Sequence, residues 1–215
     1  MWLDHFAPLH KLDADARENL ARLPELKIPK GKILFSAGSP CQGFVVLLEG
    51  GVRVGVTAEN GRRLVLYRIA PGETCVQTTL CLMGALDYSA EGVAETDLRL
   101  VVVPPPLFKR LMRESGEFSE FVFERFGARL AEMMRLVETI AFLRVDARLA
   151  GAVLARAGDA ASFEATHQEL AEDIGAAREV VSRQLSLFQR AGLVRLSRGR
   201  IEIGDRAGLE DFSNS

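Results

Sequence analysis

The stretch Thr166–Gly192, THQELAEDIGAAREVVSRQLSLFQRAG, decides how the rest of the chain is read. It predicts two short helices joined by a tight turn. Thr166 followed three residues later by Glu169 is a capping-box start: the threonine oxygen takes a free amide and the carboxylate reaches back. Leu170, Ala171 and Ile174 then give a short apolar face. Gly175 supplies the turn, because a backbone needing positive φ is cheapest for glycine. In the second helix Val181, Leu185 and Phe188 stand at i, i+4 and i+7, a spacing that buries one face. The opposite face carries Arg178, Glu179, Ser182 and Arg183, which project together.

That charged face packs poorly and suits base edges. Arginine forks onto guanine O6/N7, and glutamate accepts from cytosine N4. A helix-turn-helix lays such a second helix in the major groove. The competing account is a solvated face with i, i+4 pairs such as Glu179 with Arg183. The residues downstream favour the first account. Leu193-Val194-Arg195-Leu196, Ser197-Arg198-Gly199-Arg200 and Ile201-Glu202-Ile203 alternate about a glycine turn, as a hairpin does. This wing is expected to aim Arg195, Arg198 and Arg200 at phosphates. Between Ile174 and Ile203, Arg178, Arg183, Arg190, Arg195, Arg198 and Arg200 face only Glu179 and Glu202. The whole chain carries −2, so basic charge gathered here is an electrostatic footprint for nucleic acid.

Upstream, the 215 residues allow one large or two modest domains. No apolar run reaches the roughly 18 residues of a membrane span. Met1-Trp2-Leu3-Asp4-His5 is neither basic nor followed by an apolar stretch, so no signal peptide is read and a cytoplasmic location is expected. Residues 3–23 predict a short helical lead-in, ended by Pro24 and Pro29. From about Lys27 to Pro104 the pattern changes to short β segments: 33–35, 44–48, 52–56, 64–69 and 98–103, with glycines at the turns. A compact antiparallel β-domain follows from that spacing. Pro104-Pro105-Pro106 stops the last segment, Phe108 to Met112 reads as a short helix, and a long helix is expected from about Phe118 to Ile140. Phe126, Leu130, Met133, Val137 and Ile140 step 4, 3, 4, 3, a heptad seam for a twofold partner. Phe121, Val122, Met134 and Leu136 lie off that seam, available to the β-domain. Residues 142–146 form the expected hinge, and Asp146 the cap of the next helix, Ala147 to Ala157.

The run Thr166-His167-Gln168-Glu169-Leu170-Ala171, Gly175, Arg178-Glu179-x-x-Ser182-Arg183, Gly192-Leu193-Val194 and Arg198-Gly199-x-Ile201 resembles the winged-helix end of the Crp/Fnr family of transcription regulators. The upstream half is similar to that family's sensor domain. The resemblance implies an α+β chain: an eight-stranded, jelly-roll-like antiparallel β-roll over residues 1–116, a dimerisation helix over 117–141, and a winged helix-turn-helix over 142–215. It implies a homodimer that binds double-stranded DNA, touches RNA polymerase near Gly158-Asp159-Ala160-Ala161, and needs no membrane. Thr166, Gln168, Arg178, Glu179, Ser182, Arg183, Arg198 and Arg200 become the DNA-binding candidates. Glu179, Ser182 and Arg183 match the E-x-x-S-R pattern of Fnr-type readers, and Arg178 is the extra arginine of Crp-type ones. A palindrome with T-G-A half-site cores, nearer TTGAT than TGTGA, is expected. Ala176-Ala177 departs from the pattern, which usually has a Ser or Thr cap there.

The resemblance also frames the signal. Cyclic-nucleotide members use a Gly-Glu pair and a later arginine for the phosphate. Here Gly72-Glu73 is kept, but no arginine lies between Arg68 and Arg99, and Asp87-Tyr88-Ser89 occupies the arginine's place. Cyclic AMP in the familiar mode is not expected. An iron–sulfur cluster wants about four thiolates, and Cys41, Cys75 and Cys81 are the only cysteines. The carbon-monoxide-sensing member holds haem through Cys-x-His; the equivalent here is Cys75-Val76-Gln77, leaving thiolate ligation through Cys75 open. The three cysteines read either as a redox or persulfide switch or as small buried hydrophobes. An effector-independent dimer is the further alternative. An enzyme on a cupin-like roll is not expected: metal sites there need clustered histidines, and His5, His10 and His167 all lie outside the β segments.

Overall fold

A computed structural model describes residues 2–5, 9, 12–84 and 86–213; His10 and the side chain of His5 lie outside the described residues. The chain divides into two compact units, Met1–Val56 with Leu66–Met133, and Thr57–Val65 with Met134–Ser215. The division falls inside the long helix rather than at either of its ends.

The first unit opens with helix α1 (Ala14–Ala21) and holds two antiparallel sheets. Strands β1 (Glu25–Ile28), β7 (Leu98–Val103) and β3 (Phe44–Glu49) make one, in that order. Strands β2 (Ile33–Phe35), β6 (Glu91–Ala94), β4 (Val52–Thr57) and β5 (Arg63–Ile69) make the other. Seven strands are therefore present among the described residues, against the eight the resemblance implies. Much of the segment between β5 and β6 is helical instead, as α2 (Val76–Gly84). Its Thr78 and Thr79 hydroxyls donate to the Cys75 carbonyl, and its inner side is fully buried. An apolar run of this length has no periodicity that separates helix from strand.

Between β3 and β4, Gly50 has φ +88, and a Cβ there would meet the Asp97 carbonyl at 2.4 Å, so the turn admits only glycine. Helix α3 runs Pro105–Glu114 with proline at its start. The prolines that stop β7 thus also begin the helix, because proline's fixed φ and missing amide suit the first helical position. Phe44, Phe108 and Phe118 meet with ring centroids 5.1–6.1 Å apart and tie β3 and α3 to the long helix α4 (Gly116–Phe142).

The orientation of α4 differs from the expected seam. Phe126 and Met133 pack against the β-domain core, and Phe121 and Val122 are buried with them in the same unit. Phe123, Leu130, Met134 and Val137 are 51–60% exposed, and Ile140 is 39% exposed. The open stripe is therefore Phe123, Gly127, Leu130, Met134 and Val137, again stepping 4, 3, 4, 3 but in the other phase. Met134, expected to pack inward, lies on it. Two heptad phases share Leu130 and Val137; the inward demand of Phe126 and Met133 selects between them.

In the second unit α5 (Val145–Ala157) begins two residues before the expected start. Arg144 is its N-cap, without a side-chain bond, and Asp146 sits in the first turn. A carboxylate there still favours the helix dipole. Strand β8 (Ser162–Glu164), helices α6 (His167–Ile174) and α7 (Arg178–Arg190), and strands β9 (Val194–Ser197) and β10 (Arg200–Ile203) follow. The sheet order is β8-β10-β9. A last helix, α8 (Arg206–Ser213), not read from sequence, buries Leu209 and sets Phe212 5.5 Å from Phe188.

Candidate nucleic-acid interface and sensor interior

The helix-turn-helix is built by the residues that announce it. Thr166 caps α6 with a complete capping box: Thr166 Oγ1 accepts from the Glu169 amide at 3.1 Å, and Glu169 Oε2 accepts from the Thr166 amide at 2.6 Å. Burial works against the Glu169 carboxylate, but the Thr166 donors outweigh it and hold its pKa low. Gly175 ends the helix at φ 64, ψ 35, the left-handed geometry of a glycine C-cap. Helix α7 then begins at Arg178, and its N-cap, Ala177, offers no side-chain bond. Its Val181, Leu185 and Phe188 are buried with Leu170, Ile174 and Leu149. Arg178, Glu179 and Arg183 are consequently turned out to solvent.

Thr166, Gln168, Arg178 and Arg198 line one cleft of about 460 Å³, together with Ala165, His167, Ser197, Gly199 and Ile201. The N-terminus of α6, the first residue of α7 and the two-residue wing turn thus converge. Amides at a helix N-terminus and two guanidiniums make an anion-receiving surface. The remaining candidates are dispersed around it. Ser182 is half-buried and its Oγ lies 2.8 Å from His167 Nδ1. Arg200 donates to Ser162 Oγ at 2.6 Å, on the sheet rather than the cleft. Arg195 pairs with Glu202 across the hairpin at 3.4 Å. Gln168, which does line the cleft, donates to Glu172 at 3.1 Å. His167 is outside the candidate set read from sequence, because its contact with Ser182 spans fifteen residues.

The interior of the first unit is closed by its own side chains. Cys75 is buried, its Sγ 3.8 Å from the Tyr67 hydroxyl. Burial pushes the Cys75 thiol up, and pushes Cys81 up to about 12, with Cys41 adding to the latter. Cys41 is half-buried, with Sγ 3.6 Å from the Tyr88 hydroxyl. All three thiols are free. Tyr88 stacks on Phe35 with centroids 4.5 Å apart. Asp87, which begins the Asp87-Tyr88-Ser89 run standing in the arginine's place, is exposed, so no buried charge arises there. Arg129, also absent from the candidate set, is the guanidinium of this interior: 7% exposed, 4.8 Å over the Tyr67 ring, 2.8 Å from Glu73 Oε2, and bonded to Glu132. Glu73 Oε2 also takes the Ala70 amide at 2.8 Å.

These residues do not fit the cofactors the fold family implies. Residues 74–91 hold no Lys or Arg for a cyclic phosphate, and Arg129 is already engaged by two carboxylates. Cys75, the residue left open for haem, sits against Tyr67 with its thiolate disfavoured. No group of three or more His, Cys, Asp or Glu among the described residues is arranged for a metal ion. No helix among them is long and apolar enough to cross a membrane.

A Crp-like helix-turn-helix domain matches residues 135–212, and a cyclic nucleotide-binding domain matches residues 25–115. The Cyclic AMP receptor protein of Thermus thermophilus is 30% identical over 187 residues, 86% of each chain. The transcriptional regulator SdrP of the same organism is 30% identical over 177 residues, covering 79% of this chain and 83% of its own. Among solved structures, one described as a Crp/Fnr-family regulator from Eubacterium rectale superposes with TM-score 0.90 at 28% identity, covering 99% of this chain and 100% of that one. With a two-sheet β-domain and long helix followed in the sequence by a capped helix-turn-helix and wing, this chain belongs to the Crp/Fnr family of DNA-binding transcription regulators.

Proposed function

We propose that the protein acts in the cytoplasm as a homodimer on a palindromic operator whose half-sites have T-G-A cores, nearer TTGAT than TGTGA. The observation that carries this reading is the cleft where Thr166, Gln168, Arg178 and Arg198 converge beside the outward Glu179 and Arg183. Phosphates seated in the cleft fix register, and Glu179 and Arg183 read base edges from the same helix. The exposed stripe Phe123, Leu130, Met134 and Val137 is assigned to the twofold partner. Paired recognition helices then address half-sites one turn apart. RNA polymerase is the partner assigned to the loop at Gly158–Ala161, which Arg206 braces by donating to the Gly158 and Ala160 carbonyls at 2.8 and 3.2 Å.

Operator binding without an added effector is the reading of the first unit that its interior favours. Glu73, Arg129 and Tyr67 already tie α4 to the β-domain through side chains of the chain itself. Cys41, half-buried, is the thiol open to chemistry, since Cys75 and Cys81 are both buried and hard to ionise.

The test is fluorescence anisotropy of the full chain on a duplex with two inverted TTGAT half-sites, against a scrambled duplex. Arg183→Ala is expected to remove the preference for the palindrome, about 1–3 kcal/mol per half-site. Arg198→Ala is expected to weaken both duplexes alike and lower the salt slope by about 1 per protomer, about 2 for the dimer. An Arg183→Ala protein that still selects the palindrome refutes the base-reading assignment.

A further inference from the structure

We propose that Cys41 and Cys81 are an oxidisable pair that a hydroperoxide closes to a disulfide. The proposal deepens the reading of Cys41 as the thiol open to chemistry, and rests on it. Three free thiols share the first unit, and helix geometry removes the pairing that chain distance suggests. Cys75 immediately precedes α2, and Cys81 lies inside it, six residues on. Six helical steps separate two positions by about 9 Å along the axis and about 120° around it. A disulfide needs Cα atoms within about 7 Å. Cys75 and Cys81 therefore do not bridge while α2 is formed.

Cys41 reaches α2 from the loop between β2 and β3. Its Sγ lies 3.8 Å from the Thr78 carbonyl and 3.6 Å from the Tyr88 hydroxyl. Cys81 follows Thr78 by three residues, the spacing that puts two positions on one helix face. A helical carbonyl points toward the C-terminus, so Thr78 directs Cys41 to the turn that holds Cys81. Cys41 packs against the cluster that contains Cys81 and Tyr88. The two thiols are within hydrogen-bonding reach, the contact through which Cys41 adds to the rise that burial imposes on Cys81. The loop is held in this place by its backbone: the Gly38 amide donates to the Tyr88 carbonyl at 2.7 Å, and the Tyr88 amide to the Ser39 carbonyl at 3.1 Å.

Exposure assigns the roles. Half-buried Cys41 meets the oxidant, and Cys81, 3% exposed, is shielded from it. The Cys41 thiolate attacks one peroxide oxygen; the O–O bond breaks, a sulfenic acid forms, and the hydroxide that leaves takes up the proton Cys41 gave to water. The Cys81 sulfur then attacks the Cys41 sulfur. The S–S bond forms, the S–O bond breaks, and the departing hydroxide leaves as water with the Cys81 proton. Two thiols lose two electrons, and one hydrogen peroxide becomes two waters. A thiol that is hard to ionise is a poor partner for a reagent in solution. Placed against the sulfenic acid, it gains the effective concentration of an intramolecular reaction.

The experiment treats the reduced full chain with about one equivalent of hydrogen peroxide, blocks the remaining thiols with N-ethylmaleimide, and maps non-reduced peptides by mass spectrometry. Free thiol is expected to fall by about two per chain, with Cys41 joined to Cys81 and Cys75 recovered as a thiol. Cys75→Ser is expected to form the same link. Cys81→Ser is expected to leave Cys41 as a sulfenic acid that dimedone traps. Wild type whose Cys41 passes on to sulfinic acid while Cys81 stays a thiol overturns the proposal, as does a link that uses Cys75 or joins two chains. Iodoacetamide on untreated protein separates the two levels. A native Cys41 that does not label refutes the reading beneath the proposal; one that labels yet forms no link refutes the pairing alone.

Discussion

The helix-turn-helix region and the β-domain interior use the same residue chemistry in opposite ways. At α7, Arg178 and Arg183 are left unscreened on an exposed face, and no carboxylate lines the cleft below them. Inside the first unit, Arg129 is buried and met by Glu73, Glu132 and the Tyr67 ring. An exposed arginine keeps its charge available to an outside anion. A buried one is stable only when partners of the chain satisfy it. The difference separates a surface waiting for a ligand from an interior that has supplied its own.

The largest effect that tests this contrast is at the thiols. If the interior is closed, Cys81, raised from an ordinary value of 9.0 to about 12, holds about a thousandfold less thiolate than a free cysteine at pH 8. Iodoacetamide followed by mass spectrometry is expected to label Cys41 first, and Cys75 and Cys81 only on unfolding. The same shift has a stability consequence. Below about pH 9 the folded and unfolded thiols are both neutral and the contribution is intact. As pH climbs toward 12 the unfolded chain ionises first, and stability is lost. Rapid native labelling of Cys75 or Cys81 breaks the contrast.

Next in size is the helix that carries both kinds of face. Leu130→Glu with Val137→Glu places four unpaired carboxylates in the assigned seam, and is expected to weaken dimers on the order of 100-fold or more by sedimentation, with palindrome binding falling alongside. Met133→Ala, on the inner face, is expected to lower the melting temperature while leaving the dimer intact. The reverse pattern restores the other heptad phase.

Arg129 gives a smaller effect. Arg129→Met strands a Glu73 carboxylate that is about a third exposed, and should lower stability by about 2 kcal/mol in urea unfolding. Glu73→Gln with Arg129→Met is expected to cost less than the sum of the singles. Additive losses say that the pair does not couple α4 to the β-domain. The smallest effect is at the recognition helix itself. Ala177→Ser supplies the cap that α7 lacks and should stabilise it by about 1 kcal/mol, seen as a small rise in melting temperature. No gain means that the four free amides at that end are already served by another group.

The legible parts of this protein were those in which near neighbours in the chain cooperate. The capping box of Thr166 and Glu169, the left-handed Gly175, the buried 4, 3 spacing of Val181, Leu185 and Phe188, and the wing turn at Gly199 act within a few residues. The sequence therefore determined the helix-turn-helix, the β segments at 33–35, 44–48, 52–56, 64–69 and 98–103, and the outward face of α7, but not the strand at Glu91–Ala94. Tertiary structure alone decided which of two equivalent heptad phases of α4 faces the core, that residues 76–84 coil rather than extend, that Arg129 reaches Glu73 across 56 positions, and that His167 holds Ser182. Periodicity names a face but not what covers it. A buried charge or hydroxyl finds its partner by proximity in space, and chain distance carries no record of that.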